Sequence, residues 1–229
     1  MMSCRVLLVT FLCVVCTHAV SADVQTRVYG GKDAPASEWP WMVAVLDDST
    51  TNDYQAQFCA GTLISPQWIV SAAHCFHPKG ESPLDPSQIS VLINTIELCN
   101  DCKGNRREID NIIIPLEPDG WNTSEGSNNA NDIALLRLSN PVDPASIARA
   151  SIIDPQRAAA LPDTGNDGVQ VLGWGAVAPI QDTAEEGYYF LTSLQQVALD
   201  YVDLDRCKAF YVDDSLFSPS MICAHEPES

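Results

Sequence analysis

A chain of 229 residues, 46% hydrophobic and 18% charged, has enough apolar side chain to bury one or two cores, and its charge content is too ordinary for a disordered polymer. Its 30 acidic and 12 basic side chains give a formal charge of −18, which repels nucleic-acid phosphate and anionic lipid and so argues against both as partners of the whole surface. The acids are scattered along the chain, which reads as a solvated acidic surface.

Arg5 precedes an apolar run over residues 6–16, and Val20-Ser21-Ala22 places small residues where a signal peptidase cuts, so residues 1–22 read as a secretory signal. The run is too short to cross a bilayer, which takes about 20 apolar residues, and no later segment is long enough. A soluble, extracellular product with no membrane partner is expected. Removal of Cys4, Cys13 and Cys16 with the signal leaves six of the nine cysteines (9 − 3 = 6), an even number that suggests disulfides in an oxidising compartment. Residues 23–27 form a short polar stretch that ends on Arg27. The following Val28-Tyr29-Gly30-Gly31 makes this look like a processing junction.

From Trp41 onward, short β-rich runs alternate with turn signals, and strands are expected over residues 41–46, 58–64, 68–72, 89–93, 109–114 and 133–138. Strands at this spacing imply an all-β barrel or sandwich. The proline-rich Ser139-Asn140-Pro141-Val142-Asp143-Pro144 is the candidate linker between two β modules, residues 28–140 and 141–229. In the second module, strands are expected over 169–174 and 194–202, and a short helix over 203–211 with Asp203 at its cap.

Two segments carry candidate chemistry. Trp68-Ile69-Val70-Ser71-Ala72-Ala73-His74-Cys75 puts a histidine at the end of an apolar strand, beside a cysteine able to pin the backbone. Imidazole suits a general base because it takes and returns a proton near neutral pH. Asn131-Asp132-Ile133-Ala134-Leu135-Leu136-Arg137-Leu138 puts a carboxylate at the entrance to a strongly apolar strand, where it needs a donor. An imidazole N–H is one such donor, and the carboxylate would then fix the tautomer of the base. Alone, each residue reads more readily as structural: a satisfied histidine, and an aspartate in a strand-start turn.

Together the two segments resemble the histidine and aspartate motifs of trypsin-like serine endopeptidases. Arg27 followed by Val28-Tyr29-Gly30-Gly31, Trp39-Pro40-Trp41, Cys59-Ala60-Gly61-Thr62-Leu63-Ile64, Gly173-Trp174-Gly175 and Met221-Ile222-Cys223-Ala224 are similar to that family's landmarks and stand in the family's order. The resemblance spans Arg27 to about Ala224. It implies two six-stranded antiparallel barrels, the second C-terminally incomplete in this chain. It also implies His74 as general base, Asp132 as its orienting partner, and Arg27/Val28 as the activation cleavage site. Cys59 with Cys75 and Cys207 with Cys223 match the family's disulfides, which leaves Cys99 with Cys102 as a guess for the rest. Partners so implied are a polypeptide substrate and protein protease inhibitors, acting on a monomer.

The family's nucleophile lies in a Gly-Asp-Ser-Gly-Gly segment a little beyond the cysteine that Cys223 matches, and the sequence ends six residues after Cys223. Ser215, in Asp213-Asp214-Ser215, precedes Cys223 and lacks the glycines that would free an oxyanion hole, so it reads as a turn residue. The expectation is a peptidase given as a chain that stops before its nucleophilic serine, inactive by itself and specific for a side chain the sequence does not reveal. The alternative is a non-catalytic homologue acting as a binding or regulatory module.

Smaller signals complete the reading. Asn122-Thr123-Ser124 is a glycosylation sequon. Family members often hold calcium after the strand matching residues 89–93, and Glu97, Asn100, Asp101, Glu108 and Asp110 supply oxygens there. Calcium wants 6–8 ligands in fixed geometry, so an acidic solvated loop is the simpler reading and no metal or other cofactor is expected. His77 and His225 have no partner motif and read as surface residues.

Overall fold

The structure is a computed structural model describing residues 31–98, 105–116, 120–124, 130–154, 156, 169–179, 188–190, 192–209, 217–219 and 221–225. Its first module is a closed antiparallel barrel with strand order β2-β3-β4-β7-β6-β5. The strands are β2 (Met42–Asp47), β3 (Gln57–Leu63), β4 (Trp68–Ser71), β5 (Ile89–Ile93), β6 (Asn105–Ile113) and β7 (Ala134–Leu138). Period-two alternation decides which side chains fill it. Val43, Val45, Ile89, Val91 and Ile93 meet Leu63, Ile69, Ala134, Leu136 and Leu138 in the barrel core. The stretch after β7 stays on this barrel: Val142 and Ile147 enter its core, and the N–H of Ala150 donates to the Leu63 carbonyl at 3.0 Å.

The opposite faces of β2 and β5 are also buried, which is why both strands read as unbroken apolar runs. Met42, Ala44, Leu46 and Leu92 point away from the barrel interior into a second cluster, with Ala34, Ala56, Leu98, Trp174 and Leu194. This cluster joins the barrel to the second module. There β11 (Gln195–Val202) pairs antiparallel with β1 (Lys32–Asp33), β8 (Val169–Gly173) and β12 (Cys223–His225), while β9 (Ala176–Pro179) pairs with β10 (Tyr188–Phe190). The Ile96 carbonyl accepts twice across the junction, from Trp174 Nε1 at 3.0 Å and from the Leu194 N–H at 2.6 Å.

Some elements depart from the sequence expectation for visible reasons. β6 starts at Asn105 rather than 109, because Arg106, Arg107 and Glu108 mask a strand whose charged side chains are used laterally. Arg106 Nε donates to Ser90 Oγ and Nη2 to Asp48 Oδ1, both at 2.6 Å, clamping the turn after β2. A single helical turn, α1 (Asp53–Ala56), capped by Asn52 accepting from the Gln55 N–H, had no apolar periodicity to announce it. The expected helix is α2 (Leu204–Lys208), capped by Asp203 as anticipated, and the Cys207–Cys223 disulfide ties it to β12.

Candidate active site

The register between β4 and β7 brings the two candidate residues together. Ser71 pairs with Ala134 at one end of the barrel, so the chain leaving β4 and the chain entering β7 emerge side by side. Just past Ser71, residues Ala73–Cys75 form a single 3₁₀ turn whose carbonyl at Ala73 accepts the N–H groups of Phe76 and His77 at 3.0 and 2.9 Å. The Cys59–Cys75 disulfide fastens this turn to β3, and Ser71 Oγ donates to the Ala60 carbonyl at 2.7 Å on the same seam. Just before Ala134, Asn131 adopts left-handed backbone (φ 57), and its carbonyl accepts the Ile133 N–H at 2.8 Å. That tight turn delivers the Asp132 side chain toward the histidine. Asparagine tolerates this conformation better than most side chains do.

Asp132 grips His74 twice. His74 Nδ1 lies 2.6 Å from Asp132 Oδ2, and the His74 backbone N–H donates to Oδ1 at 2.8 Å. One carboxylate therefore holds both the ring and the peptide that bears it. With Nδ1–H committed to the carboxylate, the tautomer leaves a lone pair on Nε2. The His74 side chain is 58% exposed and that of Asp132 only 23%, so the ring is open to solvent while the orienting group is partly covered, and Nε2 lies 3.5 Å from Cys75 Sγ. The arrangement can accept a proton at Nε2 and stabilise the imidazolium that results.

Cys59, His74 and Cys75 place one potential ligand atom each within 4.8 Å of one another. They do not make a metal site, because both sulfurs are spent in the disulfide and His74 Nδ1 faces Asp132. Of the oxygens considered for calcium, Asp110 Oδ1 accepts from Arg137 Nε at 2.7 Å, and Glu97 and Glu108 are exposed. Asn100, Asp101, Arg27, Val28, Cys99, Cys102 and Ser215 lie outside the described residues. Asn122 Oδ1 accepts the Ser124 N–H at 2.8 Å within the sequon turn. His77 and His225 were both expected at the surface, but each is half-buried. His77 continues the turn of His74, and His225 ends β12.

Sequence reasoning missed Trp121, which is 1% exposed and donates from Nε1 to the His77 carbonyl at 2.9 Å. A signal was present: in Gly120-Trp121-Asn122-Thr123 a large apolar ring stands in a polar turn, where it has to bury itself against something. Next to it, a Cβ on Gly120 would sit 2.2 Å from the Pro115 oxygen, so only glycine fits there.

Comparison with known proteins adds an independent line. A protein-family model described as Trypsin matches residues 28–229. The chain is similar to a Mus musculus protein named Tryptase, 34% identical over 128 residues, or 55% of this chain and 42% of that one. It is also similar to Ovochymase of Halocynthia roretzi, 30% identical over 211 residues, covering 90% of this chain and 12% of the ovochymase. The Venom peptide isomerase heavy chain of Agelenopsis aperta is 25% identical over 203 residues, with 86% and 75% of the two chains covered. The chain thus spans less than half the length of the first two relatives. Among solved structures, the Vibrio cholerae VesB protease superposes with a TM-score of 0.66 at 25% identity, over 87% of this chain and 53% of that one.

Proposed function

The chain belongs to the trypsin family, and on that footing we propose that it is a secreted serine endopeptidase in which His74 is the general base and Asp132 orients it. The observation that supports this reading is the double contact of Asp132 with His74, at 2.6 Å to the ring and 2.8 Å to the peptide. In the proposed reaction a serine hydroxyl attacks the carbonyl carbon of a peptide bond as its proton passes to His74 Nε2. Nε2 then returns that proton to the departing amine, and water repeats the cycle on the acyl-enzyme. Asp132 holds the ring in place and stabilises its charged form. The Arg27–Val28 bond is the proposed activation cleavage point, residues 1–22 the proposed signal, and polypeptides the proposed substrates.

A second reading is a non-catalytic homologue that uses the same fold to bind polypeptides rather than cleave them. One experiment separates the two. The secreted product of the full coding sequence, treated with trypsin, is exposed to a serine-directed fluorophosphonate and to a casein substrate. Stoichiometric labelling with hydrolysis, both lost in His74→Gln, is the expected result. A folded product that takes no label favours the binding homologue.

A further inference from the structure

Trp121 lies outside the His74–Asp132 pair yet is tied to both segments that carry it. Its Nε1–H donates to the His77 carbonyl at 2.9 Å, and His77 is the residue whose own N–H closes the His74 turn onto the Ala73 carbonyl at 2.9 Å. Lys79 Nζ stands 4.9 Å from the centre of the Trp121 ring, and the Gly80 N–H donates to the Thr123 carbonyl at 2.8 Å. The stretch after His74 is thus fastened to residues 121–123 at three points, with a fully buried indole at the centre.

On the other side, the Trp121 N–H donates to the Pro115 carbonyl at 2.7 Å, and the Gly120 carbonyl accepts Asn131 Nδ2 at 3.5 Å. Asn131 is the left-handed residue that turns Asp132 toward the histidine. A route of contacts therefore runs from the His74 turn through Trp121 and Gly120 to the Asp132 turn, separate from the direct bond between the two side chains.

We infer that Trp121 is a positioning residue: its indole, fixed between the His77 carbonyl and the loop that braces Asn131, keeps the His74 turn and the Asp132 carboxylate in register. The need for such a device is physical. The bond between His74 and Asp132 sits where the ring is 58% exposed, so water competes for both partners and the bond alone cannot set the distance. Short side chains such as these have little slack, and backbone held by buried contacts does the setting. The inference rests on the proposed role of His74 only for its catalytic consequence, because the geometry it concerns can be read directly.

The test uses the full chain labelled with ¹⁵N-histidine, which contains four histidines. His74→Gln assigns the low-field Nδ1–H resonance expected from the hydrogen bond to Asp132. Trp121→Phe keeps a flat ring in place and removes the donor. The expected result is solvent exchange of the His74 Nδ1–H at least about tenfold faster, or loss of its signal, with a smaller acceleration in Lys79→Met. Val202→Ala, in the second module, lowers stability and leaves the exchange unchanged, which separates positioning from general weakening. Wild-type exchange in folded Trp121→Phe overturns the inference. If that variant does not fold, wild-type exchange in Lys79→Met overturns it instead. Asp132→Asn keeps the two readings apart: a signal that persists there sinks the His74–Asp132 pair and the proposed function with it. Loss in Asp132→Asn with retention in Trp121→Phe refutes the role of Trp121 alone. Absence of the signal in the wild type overturns both.

Discussion

Trp174 is the most informative single position for asking whether the two modules are one folding unit. Its side chain is 1% exposed in the cluster that joins the outer face of β2 and β5 to the second module. Trp174→Ala empties that junction and should cost about 3–5 kcal/mol, the range for deleting a fully buried large aromatic. At about 2–4 °C per kcal/mol for a domain of this size, the melting temperature should fall by roughly 6–20 °C. Trp174→Phe fills most of the space and loses only the indole N–H. The Ile96 carbonyl it served is still satisfied by the Leu194 N–H at 2.6 Å, so no buried acceptor is orphaned and the lost bond should cost about 1 kcal/mol. Urea and thermal unfolding of wild type and both variants, followed by far-ultraviolet circular dichroism, give the comparison. If Trp174→Ala cost less than about 1 kcal/mol, the tryptophan would not sit in a packed junction, and the picture of docked modules would be wrong.

Other perturbations test separate parts of the structure. Replacing Cys59 and Cys75 together by alanine opens a link of sequence separation 16 and should cost about 3 kcal/mol, read by urea unfolding without reductant. In Gly61→Ala, the new Cβ would stand 2.7 Å from Ile69 Cγ2 and 2.9 Å from the Val70 oxygen, so a loss of about 1–3 kcal/mol is expected in the same assay. The Ser87 N–H and hydroxyl hold the Asp85 carboxyl below its ordinary 3.8. A carboxyl depressed in the folded state stabilises above its unfolded pKa and loses that contribution as pH falls through the folded value. Ser87→Ala keeps the backbone N–H, the larger of the two causes, and removes the hydroxyl, so the Asp85 midpoint should rise part of the way toward 3.8 in a carboxyl-carbon NMR titration; an unmoved midpoint would refute the part assigned to the hydroxyl. Finally, N-terminal sequencing after trypsin treatment should begin at Val28, and a dominant start elsewhere would refute the proposed Arg27–Val28 cleavage point.

Residue pattern carried the barrel well, because its strands are short apolar runs punctuated by turns, and the stretch over residues 89–93 coincides with β5. Pattern failed where side chains serve neighbours rather than the core. The opening of β6 is charged because Arg106 reaches sideways to Ser90 and Asp48, so its alternation does not register as hydrophobic. The pairing of His74 with Asp132 was legible only through motifs. Nothing in local sequence states that Ser71 lies opposite Ala134, which is a property of strand register. Trp121 escaped because its partner is a backbone carbonyl 44 positions away, and a carbonyl has no sequence signature.

The place of β1 bears on how the molecule comes apart. Lys32 and Asp33 precede the first barrel in the chain, yet they pair with Gln196 and Gln195 of β11, and Gln195 Nε2 adds a bond to Asp33 Oδ1 at 2.7 Å. Among the described strands the polypeptide therefore crosses between modules twice, once from β1 to β2 and once from β7 to β8. A protease that nicks the chain between β7 and β8 leaves a complex whose leading fragment still contributes a strand to the trailing one. Such a product should migrate as one species on a native gel and as two after denaturation, since both disulfides described fall within single fragments. Two polypeptides made separately from either side of that nick carry, in β1 and β11, complementary edges through which to reassemble.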